Sequence, residues 1–96
     1  MKRSRVVRLL QDHRSEITSL GVKSLTLFGS VARDEASPES DVDLLVEFSR
    51  PVGLFQFIDL KQYLEELLGC QVDLGTPNSL KPTTKNYIIQ DAIYVV

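Results

Sequence analysis

Two aspartates, Asp41 and Asp43, stand two residues apart at the head of a largely apolar run that ends at Phe48, and ten residues separate them from a Gly29-Ser30 pair. A strand alternates its side chains between two faces, so Asp41 and Asp43 point the same way, roughly 6–7 Å apart from the rise per residue. Like charges at that spacing repel by about 3 kcal/mol at an effective dielectric of ~20. A cation relieves the repulsion, and the hard, oxygen-seeking Mg²⁺ brings phosphates with it. Asp73 is a third carboxylate, set in the strand-like run Val72-Asp73-Leu74. An aspartate in the middle of an apolar strand is costly unless it is paired or ligating. If its strand lies beside that of Asp43, three carboxylates converge on one spot, an arrangement suited to two divalent cations about 4 Å apart.

Gly29-Ser30 supplies the other half of such a site. Glycine lets the backbone approach a ligand closely. The turn leads into a helix start, where free N–H groups favour phosphate. The Ser30 hydroxyl adds a hydrogen-bond donor, and Arg33, one turn on, can reach the same phosphates or an acid of the cluster. A site that holds metal at one end and phosphate at the other fits a nucleoside triphosphate, and phosphoryl or nucleotidyl transfer. Rival motifs fail: an EF-hand needs a glycine and a further ligand where Leu45 and Val46 stand, and no Gly-rich loop ends in Lys-Ser/Thr. Asp-x-Asp glycosyltransferases need a longer chain.

The elements that must position these groups follow from spacing and punctuation. Val6, Leu9, Leu10, Ile17 and Leu20 recur at helical intervals, predicting one helix over Arg5–Leu20 that Gly21 stops. His13 shares its apolar face and reads as packed or partner-facing rather than catalytic, since it is the one histidine. Lys23–Phe28 reads as a strand, and Ser30 as the cap of a short helix to about Glu35. Residues 36–40 form a turn. Asp41–Phe48 is a second strand, its Leu44-Leu45-Val46 core suggesting burial on both faces. After a break at Arg50–Gly53, Leu54–Leu68 reads as an amphipathic helix that Gly69 ends. Its stripe is Leu54, Phe57, Ile58, Leu60, Leu64, Leu67 and Leu68, with Lys61 at the rim. Gln71–Gly75 is a third strand, and Leu80–Ile93 a last helix with Pro82 in its first turn. Tyr94–Val96 fits either a continuation of that helix or a strand. The fold class is α/β, a small mixed sheet flanked by helices.

A chain of 96 residues has room for one domain, spanning 1–96, and one modest core. A net charge of −2 gives no global attraction to nucleic acid or acidic membrane. Lys2, Arg3, Arg5 and Arg8 read as the exposed face of the first helix. A single cysteine, Cys70, excludes an internal disulfide framework and reads as a buried structural thiol. With no membrane span or signal peptide in the pattern, the expected location is the cytoplasm.

Taken together, Gly29-Ser30, ten residues, Asp41-x-Asp43 and a later intrastrand Asp73 resemble the nucleotidyltransferase superfamily that includes DNA polymerase beta. The match is closer to its minimal stand-alone branch, the MNT proteins. The resemblance runs over nearly the whole chain, through FGSVAR, SDVDLLVEF, QVDLGTP and the LKP-led last segment. It implies a polymerase-beta-like fold and two Mg²⁺ ions with nucleotide bound. By the same resemblance Asp41 and Asp43 hold both metals, and Asp73 holds one and helps deprotonate the attacking hydroxyl. Gly29 and Ser30 then hold the triphosphate. One departure is Asp34, which stands where the family commonly has glycine; a charge there weakens triphosphate binding unless it faces solvent.

MNT proteins pair with HEPN-domain proteins as antitoxin and toxin, and can move AMP from ATP to a tyrosine of the toxin, silencing a ribonuclease. The resemblance therefore implies a protein adenylyltransferase that works in a hetero-oligomer. ATP comes from the resemblance alone, because no base-reading residue stands out. A second reading is a binding module that masks its partner without turnover. A third is nucleotidyl transfer to a small molecule such as an aminoglycoside, with a helical partner subunit; it expects an acidic acceptor pocket, and no acidic cluster lies outside the triad. Phe55, Phe57, Tyr63, Tyr87 and Tyr94 read as core by default, with a partner surface as the alternative.

Overall fold

The computed structural model describes residues 2–32, 41–76 and 92–96. The leading segment forms two helices instead of the single one expected: α1 (Arg3–Asp12) and α2 (Arg14–Ser19). The break is at His13, whose ring Nδ1 lies 2.9 Å from the Leu9 carbonyl, the oxygen that also accepts the His13 backbone N–H at 3.3 Å. A side chain competing for a helical carbonyl offers the chain a way out of the helix. Val6 and Leu10 of α1 and Ile17 of α2 still face the core, so the apolar period survives the break.

Strand β1 (Val22–Phe28) follows, then a short helix α3 (Gly29–Ala32) and strand β2 (Val42–Phe48). Because α3 starts at Gly29, Ser30 stands inside its first turn and does not precede it as a cap. Helix α4 (Leu54–Leu68) has the bounds expected from sequence. Gly69 ends it in the left-handed region at φ 70°, its N–H donating to the Glu65 carbonyl at 2.9 Å. Strand β3 (Val72–Gly75) and the two-residue β4 (Ile93–Tyr94) complete the described elements. Ile93 thus belongs to a strand, not to the end of a helix, and Tyr94 continues it; Ala92 before it is not helical either, while residues 80–91 of the expected Leu80–Ile93 helix and the 36–40 turn lie outside the described residues.

The sheet order is β3-β2-β1-β4. β2 runs antiparallel to β1 and parallel to β3, and β4 is antiparallel to β1, so the sheet is mixed as expected. The parallel β2–β3 pair needs a crossover, which α4 supplies. One sheet face is the core. Leu25, Leu27, Val42, Leu44, Val46, Val72 and Leu74 pack with Leu60, Leu64 and Leu68 of α4 and with the α1 and α2 residues above. β2 is buried on this face only, since Leu45 is half-buried. Tyr63 of α4 donates its hydroxyl to the Glu16 carboxylate of α2, tying the two helices together.

The first turn of α4 departs from the expected apolar stripe. Leu54 is 70% exposed and Ile58 38%, and the aromatic Phe55 beside them is 83% exposed. Tyr94 is likewise exposed, while Phe57 and Tyr63 are half-buried; Tyr87 lies outside the described residues. The basic residues of α1 are exposed, as expected, and the Arg8–Asp12 pair at 4.0 Å is solvent-bathed and contributes little.

Candidate active site

Register decides what the non-core face carries. Paired residues on neighbouring strands share a face, so the sheet reads as rows across it. Phe28 of β1 pairs with Asp43 of β2, and Asp43 pairs with Asp73 of β3. The row Phe28–Asp43–Asp73 therefore lies opposite the core, and it places Asp73 beside Asp43 on the adjacent parallel strand. The next row is Tyr94–Thr26–Leu45–Gly75. Asp41 immediately precedes β2; with the Val42 N–H already in the ladder, donating to the Gln71 carbonyl at 3.1 Å, alternation puts Asp41 on the Asp43 face. Asp41 and Asp73 are exposed and Asp43 is half-buried.

Gly29 meets this row directly. It follows Phe28 at φ 76°, a conformation glycine adopts without strain. A Cβ built there would run into the Asp43 carboxylate oxygen, with Asp43 Cγ only 3.0 Å away. The position thus needs glycine twice over, for its backbone angle and for the space its missing side chain leaves beside Asp43. Arg3 of α1 donates to the Ala32 carbonyl at 3.3 Å, holding the far end of α3. Arg33 and Asp34 lie outside the described residues, as does the Ser30 side chain.

The donors in the row are carboxylate oxygens, the hard ligands that suit Mg²⁺. Among the described residues no three acidic, histidine or cysteine side chains are already drawn into a metal cage. Cys70 sits at the mouth of β3, half-buried and not fully so as the sequence suggested. Burial pushes its thiol up, and the charges of Asp41 and Glu65 add to the effect, so it is no thiolate nucleophile at neutral pH.

A cavity of about 630 Å³ lies elsewhere. It lies at the other end of β2, against Phe48, Val52, Leu54, Phe57 and Thr76. Its acidic residue, Glu47, is 3.7 Å from the Lys23 ammonium. Arg50 also lines it, but this mostly apolar hollow has one carboxylate, already paired, and lacks the carboxylate pair that a cation-and-phosphate site needs, so the candidate site is the carboxylate row. No described helix is long and apolar enough to cross a membrane.

Comparison with known proteins gives the family. Residues 8–95 match the family model described as a nucleotidyltransferase domain. The protein adenylyltransferase MntA of Thermococcus cleftensis is 41% identical over 88 residues, covering 91% of this chain and 89% of that protein. A solved minimal nucleotidyltransferase superposes with a TM-score of 0.82 at 34% identity, covering 97% of this chain and 95% of the other. The fold is also that of the MNT antitoxin solved in complex with a tri-AMPylated Shewanella oneidensis HEPN toxin, at a TM-score of 0.67 and 17% identity over 94% of this chain and 71% of that one. With a family model spanning nearly its whole length and the polymerase-beta-like sheet beneath the carboxylate row, this chain belongs to the nucleotidyltransferase domain family.

Proposed function

We propose that this chain is a metal-dependent protein adenylyltransferase that moves AMP from ATP to a tyrosine hydroxyl of a HEPN-type toxin, and so acts as its antitoxin. The observation that carries the reading is the in-register pair Asp43–Asp73 on parallel strands, with the bare backbone of Gly29 against the Asp43 carboxylate. The similarity to MntA supports the choice of AMP and of a protein acceptor.

Asp41, Asp43 and Asp73 would hold the divalent cations. The oxygen-only donor set fits them, and so does the space beside Asp43 that a Cβ at Gly29 would fill. When bound, the ions would neutralise charge on the triphosphate and on the leaving pyrophosphate. Gly29, Ser30 and Arg33 would grip the triphosphate, and α3 would aim its N-terminal N–H groups at it. In the transfer, the acceptor phenol oxygen forms a bond to the α-phosphorus. The bond from that phosphorus to the oxygen bridging to the β-phosphate breaks, and pyrophosphate leaves with the electron pair. The phenolic proton passes to the Asp73 carboxylate, which accepts it at the edge of the row.

The test uses purified chain, a HEPN-domain partner, Mg²⁺ and ATP labelled at the α- or the γ-phosphate. Label reaching the partner from the α position only, and lost in Asp41→Ala, supports adenylyl transfer. Label from the γ position would make the enzyme a kinase and overturn the reading. The exposed Leu54, Phe55 and Ile58 favour a second reading, a module that silences its partner by covering it. A stable, silencing complex with no label on the partner would select that one.

A further inference from the structure

The strand that carries Asp73 is short, and among the described residues it lies at a sheet edge. β3 has four residues and, among those residues, pairs with β2 alone. The Val42 N–H donates to the Gln71 carbonyl, so in a parallel ladder residues 71, 73 and 75 bond toward β2 and Val72 turns its N–H outward. Val72 is 3% exposed, so water does not satisfy that donor. Glu65 does: its Oε2 accepts the Val72 N–H at 3.1 Å. The same residue's backbone carbonyl accepts the Gly69 N–H at 2.9 Å. Glu65 therefore holds both ends of the three-residue link from α4 to β3, the helix stop and the strand start.

From this we infer that Glu65 is a positioning residue for Asp73, and that its carboxylate sets the register of β3; the inference rests on Asp73 being a metal-site residue as proposed above. The physical reason is the two-residue period of a strand. A one-residue slip of β3 would turn Asp73 into the core and Leu74 outward. Four paired residues at an edge give weak protection against such a slip, and the clean core/solvent alternation of Val72, Asp73 and Leu74 supplies part of it. The Glu65 carboxylate supplies the rest. Glu65 accepts the Val72 N–H on its carboxylate and the Gly69 N–H on its backbone carbonyl, so a slip that set residue 71 or 73 against the carboxylate would have to shorten or lengthen the link between those two anchors by one residue. Asp73, next in the chain, is thereby kept opposite Asp43.

The test compares wild type with Glu65→Ala, Glu65→Gln, Asp73→Asn and a control on the exposed neighbour, Glu66→Ala. Two readouts are taken: amide hydrogen-exchange protection at Val72, and binding of Mn²⁺ with a non-hydrolysable ATP analogue, followed by water-proton relaxation. Glu65→Ala is expected to lose the Val72 protection and to weaken Mn²⁺ binding about tenfold, the scale of one hydrogen bond to a charged acceptor. Glu65→Gln keeps an acceptor oxygen and is expected to stay within about threefold of wild type, as a neutral acceptor retains roughly half the strength. Glu66→Ala is expected to move neither readout. Val72 protection lost with Mn²⁺ binding unchanged would make Glu65 structural only and overturn the inference. Should Glu65→Ala not fold, a tenfold weakening in folded Glu65→Gln would overturn it, and near-native binding would support it. If Asp73→Asn binds Mn²⁺ as wild type does, it is the metal-site reading that fails, whatever Glu65 does.

Discussion

Replacing Gly29 by alanine separates backbone strain from a collision inside the site, because the molecule carries its own control. Gly29 and Gly69 have nearly the same backbone angle, φ 76° and 70°. A Cβ at Gly69 meets nothing within 4 Å, whereas one at Gly29 meets the Asp43 carboxylate. Gly69→Ala therefore measures strain alone, about 1–2 kcal/mol for an alanine held left-handed. Gly29→Ala bears the same strain and must also drive the Asp43 carboxylate off its position, for a further ~1–2 kcal/mol given that the carboxylate can rotate but is short. The total is about 2–4 kcal/mol. Trimming Asp43 to alanine removes the colliding oxygen and Cγ but leaves Cβ, 3.3 Å from the new methyl group. A double-mutant cycle of Gly29→Ala with Asp43→Ala should then show a coupling of about 1–2 kcal/mol, while Asp43→Asn, equal in size, should show close to none. Urea denaturation of the single and double variants gives these numbers. In the labelled-ATP assay, Gly29→Ala should lose about a hundredfold in rate, since a displacement of roughly 1 Å at a reacting centre costs that much. Equal costs at Gly29 and Gly69, with the Gly29–Asp43 pair additive to within about 0.5 kcal/mol, would refute the close packing of Gly29 on Asp43.

Asp73→Asn removes one of two like charges held opposite each other, so in EDTA it should raise stability by about 0.2–1 kcal/mol; with Mg²⁺ and ATP the order should invert, and thermal melts that rank the two proteins alike in both conditions would argue against a shared cation site. Burial, with the hydrogen bond to Glu16 and its charge adding, pushes the Tyr63 phenol up from 10.0 to about 12. The folded state therefore favours the protonated phenol, and its contribution is full below pH 10 and is lost as pH rises through about 12. Tyr63→Phe should cost about 0.5–1 kcal/mol near neutrality and lose less stability than wild type between pH 10 and pH 12 in urea titrations; parallel alkaline profiles for the two proteins would dismiss the Tyr63–Glu16 bond as a contributor.

The carboxylates were legible in the sequence because a strand's period is short and exact enough to put Asp41 and Asp43 on one face without tertiary knowledge. The placement of Asp73 beside Asp43 was legible only as a condition, since pairing partners depend on the crossover that α4 makes. Helix α4 was read to the residue because Gly69 stops it by a local mechanism, the left-handed cap. The break at His13 was not, because it turns on which carbonyl one ring nitrogen reaches, and apolar spacing runs through it undisturbed. The exposure of Leu54, Phe55 and Ile58 was missed for a different reason. Helical spacing says which residues share a stripe, not how far along the stripe the sheet beneath extends. Gly29 was singled out for phosphate, and its second constraint, contact with Asp43, needed the register of β1 on β2.

The parallel pairing of β3 at the sheet edge has a consequence for how this molecule fails. Asp43 and Asp73 are thirty positions apart in the chain, and among the described residues it is the four-residue strand β3 that brings them together. β1, β2 and the helices can keep the greater part of the core packed while that strand frays and takes Val72 and Leu74 out of it. On the function proposed above, the quantity that protects the transfer is therefore the opening free energy of one sheet edge, which is smaller than that of the domain. Heat or denaturant would silence the site in a population that still looks folded, and closing the edge again would restore it without refolding the whole.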